Sequence, residues 1–111
     1  MGVYLLFNVP KSQPDWDAWS FAHRTSHSKI RNGIQVEKNI NLNNYQVDPI
    51  DFGDIAGFLD RNQQAHLEMN QALNLSSSDL EDVDFQNEAQ FRAWIAEHAQ
   101  EHRDAENALG V

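Results

Sequence analysis

Apolar residues and histidines recur along this chain in one pattern that is written three times. The first copy runs Trp16, Trp19, His23, His27, Ile30, Ile34, Val36. The second runs Ile55, Phe58, Asn62, His66, Met69, Leu73, Leu75, and the third Phe91, Trp94, His98, His102, Ala105, Leu109, Val111. The copies align without a gap over residues 8–36, 47–75 and 83–111. Steps of three and four residues are those of one helical face. At 100° per residue the first six positions of each copy fall within an arc of about 80°. Three amphipathic helices are therefore expected, each with polar residues in the middle of its buried stripe.

Punctuation around the stripes agrees. Ser12, Asp51 and Asn87 occupy equivalent positions just ahead of each copy, and all three can accept from free N–H groups in a first helical turn. Gly33 and Gly110 stand where a left-handed turn would end a helix. The expected helices run from roughly 13 to 32, 52 to 74 and 88 to 109. Between them lie an asparagine-rich stretch (37–46) and a serine-rich one (76–82), both loops by composition. The alternation in Ile34–Gln35–Val36 and Ile40–Asn41–Leu42 suggests short extended pieces that could pair with Val3–Phe7.

No single amphipathic helix can bury its face alone, so the three must pack together. The fold class expected is mainly α, a three-helix bundle of three equivalent repeats with a short extended N-terminal arm (1–7) and extended linkers. It forms one domain over residues 1–111. Up-down-up packing is the usual arrangement in bundles, although the linkers are long enough to permit a parallel one.

Composition narrows the function classes. With 8 basic and 17 acidic residues the formal charge is −9, which argues against direct nucleic-acid binding. The charge is uneven: the first copy is +2 while the second and third are −4 each. That contrast suits complementary ends that stack or dock on a partner. No apolar run is long enough to span a membrane. The apolar start lacks the basic lead and cleavage site of a signal peptide. Cysteine is absent, so disulfides play no part.

Three helix midpoints hold His23, His27, Asn62, His66, His98 and His102, which meet at one level in either packing direction. The expected arrangement is a hydrogen-bonded layer without metal or cofactor, in which neutral imidazoles, Asn62 and buried water satisfy one another and fix the register between helices. The alternative is a zinc site. His-x₃-His occurs twice, His66 adds a further nitrogen, and three or four imidazoles suit zinc. Asn62 breaks the symmetry of that ligand set. No catalytic residues are expected, since neither a nucleophile elbow, a phosphate loop nor a His-Glu-x-x-His motif is present. Glu97, Glu101 and Asp104 share one side of the third helix and read as solvated charge. Val3, Tyr4, Leu5, Leu6 and Phe7 form an apolar arm suited to binding a partner chain, with Phe21 and Leu67 as stray apolar residues that could extend the contact.

The last two thirds of the chain resemble a family. His66-Leu-Glu-Met-Asn-Gln-Ala-Leu-Asn-Leu75, Asp79-Leu-Glu-Asp-Val-Asp-Phe85 and Trp94-x₃-His98-x₃-His102, ending in Ala108-Leu-Gly-Val111, are similar to small proteins encoded among the virion genes of tailed bacteriophages. That resemblance implies a structural or accessory protein of the head, neck or tail, located in the virion after assembly in the host cytoplasm. It also implies partners that are other virion proteins or further copies of this chain, and it brings no catalytic residues. A host-directed protein that binds an intracellular partner is the remaining alternative.

Overall fold

Each copy of the pattern forms one helix: α1 (Gln13–Lys38), α2 (Ile55–Leu73) and α3 (Glu88–Leu109). The computed structural model describes residues 6–42, 45, 50, 52–77, 80 and 82–111. Among these residues there is no strand. Ile34–Val36, expected to be extended, belongs to α1. All three helices contact one another, so the architecture is the expected three-helix bundle.

The helix starts follow the capping residues, with one shift. Ser12 Oγ accepts from the Asp15 N–H at 3.4 Å, and Asn87 Oδ1 from Gln90 N–H at 3.1 Å. On α2 the cap is Asp54, one turn beyond Asp51, which lies outside the described residues. Gly53 would occupy the lost turn, where glycine costs about 1 kcal/mol relative to alanine. Asp54 Oδ1 accepts from Gly57 N–H at 3.0 Å. A Cβ on Gly57 would meet that carboxylate at 2.2 Å, so glycine leaves room for the cap.

The helix ends carry a second shift. Asn74 (φ 58°) and Gly110 (φ 69°) close α2 and α3 in the left-handed conformation, and they are equivalent positions in the repeat. Copy one has Gln35 there, which does not favour that conformation. The helix α1 therefore runs past Gly33 and closes at Asn39 (φ 55°). Gly33 is an inter-helix contact and not a terminator: a Cβ there would lie 3.0 Å from Leu109 Cδ1.

The helices run parallel, contrary to the up-down-up expectation. Trp19, Phe58 and Trp94, all near helix N-termini, share one core cluster with Leu59 and Ile95. Ile34, Leu73 and Leu109, all near C-termini, share the other. Parallel packing sets aromatic against aromatic and aliphatic against aliphatic. The connections have the reach for it. The 16 residues between Lys38 and Ile55 and the 14 between Leu73 and Glu88 span up to about 3.3 Å each. They also contribute to the core on the way back, through Leu42 and Tyr45 in the aliphatic half and Leu80 in the aromatic half. Leu80 is held at both backbone groups: its N–H donates to Gln63 Oε1 (2.9 Å) and its C=O accepts from Trp94 Nε1–H (3.1 Å). Burial of these side chains offsets the entropy of closing long loops.

Leu6 is fully buried in the aromatic cluster and Phe7 packs against it, beneath the Arg103 guanidinium at 4.9 Å from the ring centre. Leu6 is thus committed to this chain's own core and cannot anchor a partner as expected. Val3, Tyr4 and Leu5 lie outside the described residues.

Helix direction is open to a direct check, since the chain has no cysteine to interfere with site-specific labelling. Spin labels at positions 13 and 88 should give a shorter distance than labels at 13 and 107. The difference should be about 20 Å, because about 10 Å separates neighbouring helices and the stretch from 88 to 107 adds about 28 Å along the axis. The reverse order would show antiparallel packing.

Candidate metal centre in the histidine layer

Between the aromatic and aliphatic clusters lie the five histidines, all with 2% or less of their surface exposed. The spacing explains why both histidines of a helix point inward. A step of four rotates a position by about +40° and a step of three by about −60°. Trp19→His23→His27 is two consecutive steps of four, so the two rings straddle the midline of the stripe. The same holds for Trp94→His98→His102. Each tryptophan stacks on the histidine one turn along: Trp19 on His23 (centroids 4.9 Å, 17°) and Trp94 on His98 (4.7 Å, 8°). In α2 the corresponding pair is Phe58 and Asn62.

His27, His66 and His102 occupy the same repeat position and form a ring of three, with centroids 4.4–5.2 Å apart. Their outer nitrogens are addressed by one repeated device. The residue just before this histidine on one helix reaches the histidine of another. Glu101, preceding His102, accepts from His66 Nδ1 at 2.9 Å. Ser26, preceding His27, meets His102 Nδ1 at 2.7 Å. The third such residue is Ala65, which has no polar group, and Tyr45 from the first connection fills the role through its hydroxyl at His27 Nδ1. Residues one turn beyond the histidines complete the two side-chain pairs. Asn70 Nδ2 donates to Glu101 Oε1 (3.0 Å), and Glu106 Oε2 accepts from Ser26 Oγ (2.6 Å).

Glu101 and Glu106 are therefore buried parts of this layer. For Glu101 that corrects the reading as solvated charge, while Glu97 and Asp104 are exposed as expected. These partners lie beside the stripe, at the seam between helices, and periodicity alone does not point to them. The visible signal was the change of chemistry (Ser26, Ala65, Glu101) at one repeat position. Tyr45 had no signal within its asparagine-rich surroundings.

Above the ring lie His23, His98 and Asn62. Asn62 Oδ1 is 3.2 Å from His98 Nε2, and Asn62 lies near enough to His23 to favour its protonated form slightly. His23 Nε2 and His27 Nε2 are 3.0 Å apart. Among the described residues, the layer's ring nitrogens without a hydrogen-bond partner are His66 Nε2, His98 Nδ1 and His102 Nε2, and the buried donors Trp19 Nε1 and Asn62 Nδ2 also lack one. An unsatisfied buried polar atom costs roughly 1–3 kcal/mol, so three in one place call for an explanation.

A metal ion would supply one. One ligand atom from each of the five histidines lies within 4.8 Å of all the others. Two nitrogens on one tetrahedral zinc are about 3.3 Å apart, so the most widely separated rings would draw together by about 1.5 Å to hold one ion. Four of the five rings are also held in the metal-binding protonation state. Burial, followed by the charge of His66, lowers the His23 pKa to about 3. Burial likewise holds His27, His98 and His102 well below the usual 6.5, with neighbouring histidines adding to it. Neutral imidazole is the ligand form. Burial pushes the Tyr45 hydroxyl up, so it stays protonated. Comparison with protein-family models, curated proteins and solved structures found no match to this chain.

The lowered values set a pH dependence. The metal-free folded state takes up fewer protons than the unfolded chain, whose histidines titrate near 6.5. Stability from this source is complete above about pH 6.5 and is lost as pH falls from there towards 3 and below. Each of the four depressed histidines should cost up to about 1.4 kcal/mol by pH 5.5. Urea unfolding in chelator-treated buffer should show a midpoint falling steeply between pH 7.5 and 5.5. A flat profile would contradict a neutral buried layer.

Proposed function

We propose that the protein is a small helical module that binds a divalent transition metal in its core. The observation that carries this reading is the buried set of imidazole nitrogens without hydrogen-bond partners at the centre of the bundle. An all-nitrogen set of imidazoles suits zinc, copper, nickel or iron and is poor for magnesium or calcium. Both core clusters shield the site, so the ion serves as a cross-brace: α1, α2 and α3 all contribute ligands and are held in register by it.

Protein purified without an affinity tag should contain close to one equivalent of metal by elemental analysis. Zinc added to the stripped protein should raise the melting temperature and a chelator at pH 7 should lower it. Free zinc at about 1,000 times the Kd corresponds to about 4 kcal/mol. No thermal shift with zinc, nickel or copper would defeat the metal reading.

A second reading is assembly within a tailed-phage particle, as a structural or accessory component. It rests on the sequence resemblance and is favoured by one feature of the surface. Phe21 (71% exposed) and Phe52 (55%) flank a groove with half-buried Trp16 and Ile50. Large exposed rings gathered in one place are characteristic of contact surfaces. Metal binding and assembly are compatible, the ion stiffening the module that docks. Replacing Phe21 and Phe52 together by serine should leave the fold intact and abolish recovery of the protein with purified particles. Full incorporation of that variant would show that the groove is not the contact.

A further inference from the structure

The hydrogen bonds around the histidine layer do more than gather nitrogens. They determine which ones carry protons. Resting on the metal reading above, we infer that the ion is held by four nitrogens, His27 Nε2, His66 Nε2, His102 Nε2 and His98 Nδ1, and that His23 is not a ligand.

Proton accounting leads to this set. Glu101 accepts at His66 Nδ1, so in the neutral ring the proton sits on Nδ1 and Nε2 is a bare lone pair. Ser26 has one hydroxyl proton, and it goes to Glu106. Ser26 Oγ must then accept from His102 Nδ1–H, which leaves His102 Nε2 bare. The Tyr45 hydroxyl donates to the His27 carbonyl at 3.4 Å, so it accepts from His27 Nδ1–H and leaves His27 Nε2 bare. Asn62 Oδ1 can only accept, so His98 carries its proton on Nε2 and presents Nδ1 as a lone pair. The bare nitrogens of His66, His98 and His102 are those that have no partner. The bare nitrogen of His27 faces His23 Nε2, which must be the donor of that pair.

His23 is thus the one ring that offers a proton inward. When an ion takes the His27 lone pair, the His23 N–H needs another acceptor, and the Asn62 oxygen, which holds His98 with one lone pair, has a second to offer. Asn62 is therefore a positioning residue and not a lost ligand. It sets the His98 tautomer and offers the His23 proton an acceptor once His27 is taken. Four neutral nitrogens match tetrahedral zinc. Glu101 acts directly on His66, and Glu106 acts on His102 through Ser26. They bring negative charge next to the ion, with Lys29 at 4.0 Å from Glu106 on the outer side. A carboxylate on the far nitrogen raises the basicity of a ligating histidine and fixes its orientation.

Two measurements test the assignment. Long-range proton–nitrogen correlation spectra of the intact metal-free protein at pH 7.5 should show Nδ1–H tautomers for His27, His66 and His102 and an Nε2–H tautomer for His98. Nε2–H on any two of the first three overturns the inference and needs no variant. Zinc affinity, measured by competition with a chromophoric chelator, should fall on the order of 100-fold or more in His66→Asn and less than about threefold in His23→Asn. Glu101→Gln and Ser26→Ala should each cost about 10- to 100-fold, as outer partners do. Wild-type protein that takes up no zinc defeats the metal reading itself. Wild-type protein that binds one ion, with His23→Asn as damaging as His66→Asn, leaves that reading standing and overturns the ligand assignment.

Discussion

Burying five imidazoles in the core of a 111-residue protein poses a constraint that the rest of the structure answers. Each ring has two nitrogens, and neither can be left in an apolar core without cost. On the outward side the answer is protein: Tyr45, Glu101, Ser26 with Glu106, and Asn62 each take one ring nitrogen. On the inward side the nitrogens face one another. Partners outside and unpaired nitrogens inside are the arrangement on which the proposed metal reading rests. Within the layer His23 pairs with His27 along one helix and Asn62 pairs with His98 between helices, while among the described residues His66 Nε2, His98 Nδ1 and His102 Nε2 have no partner.

The clusters above and below set the electrostatics of the layer. Stacked indoles and Phe58 close one end, while Ile30, Ile34, Met69 and Leu73 close the other. In so dry a setting a proton on His23, His27, His98 or His102 is unfavourable, and a second is more so because the rings lie so close. A proton satisfies one lone pair and adds a charge. A dication satisfies several lone pairs for two charges, with carboxylates at the helix seams placed to answer them. The same burial that discourages protonation thus leaves the nitrogens free for a metal.

Much of this was legible in the sequence, and the parts that were not share one character. The helices, the Ser12, Asn87 and Gly110 caps and the mid-stripe histidines all follow from periodicity and local chemistry. Those signals belong to one helix at a time. Helix direction, the burial of Glu101 and the role of Tyr45 depend on which helix lies beside which. A stripe drawn on an isolated helix does not carry that information. Asp54 and Asn39 were displaced by one turn because Gly53 weakens one helix start and Gln35 does not end a helix. Leu6 reads as a loose arm until the gap it fills, beside Leu80 and Trp94, is known.

Parallel packing of three equivalent helices has a further consequence. Three separate copies of one such helix, associating with threefold symmetry, would place the same side chain three times at every level. A histidine at each of two levels would then mean six identical imidazoles, with identical outer partners. Tethering the three segments in one chain removes that obligation. One position of the six becomes an asparagine, one outer partner a tyrosine borrowed from a connection, and the two acidic partners fall on a single helix. The long returning connections are what convert a symmetric scaffold into an addressable one, where each arm of the centre can differ from the other two.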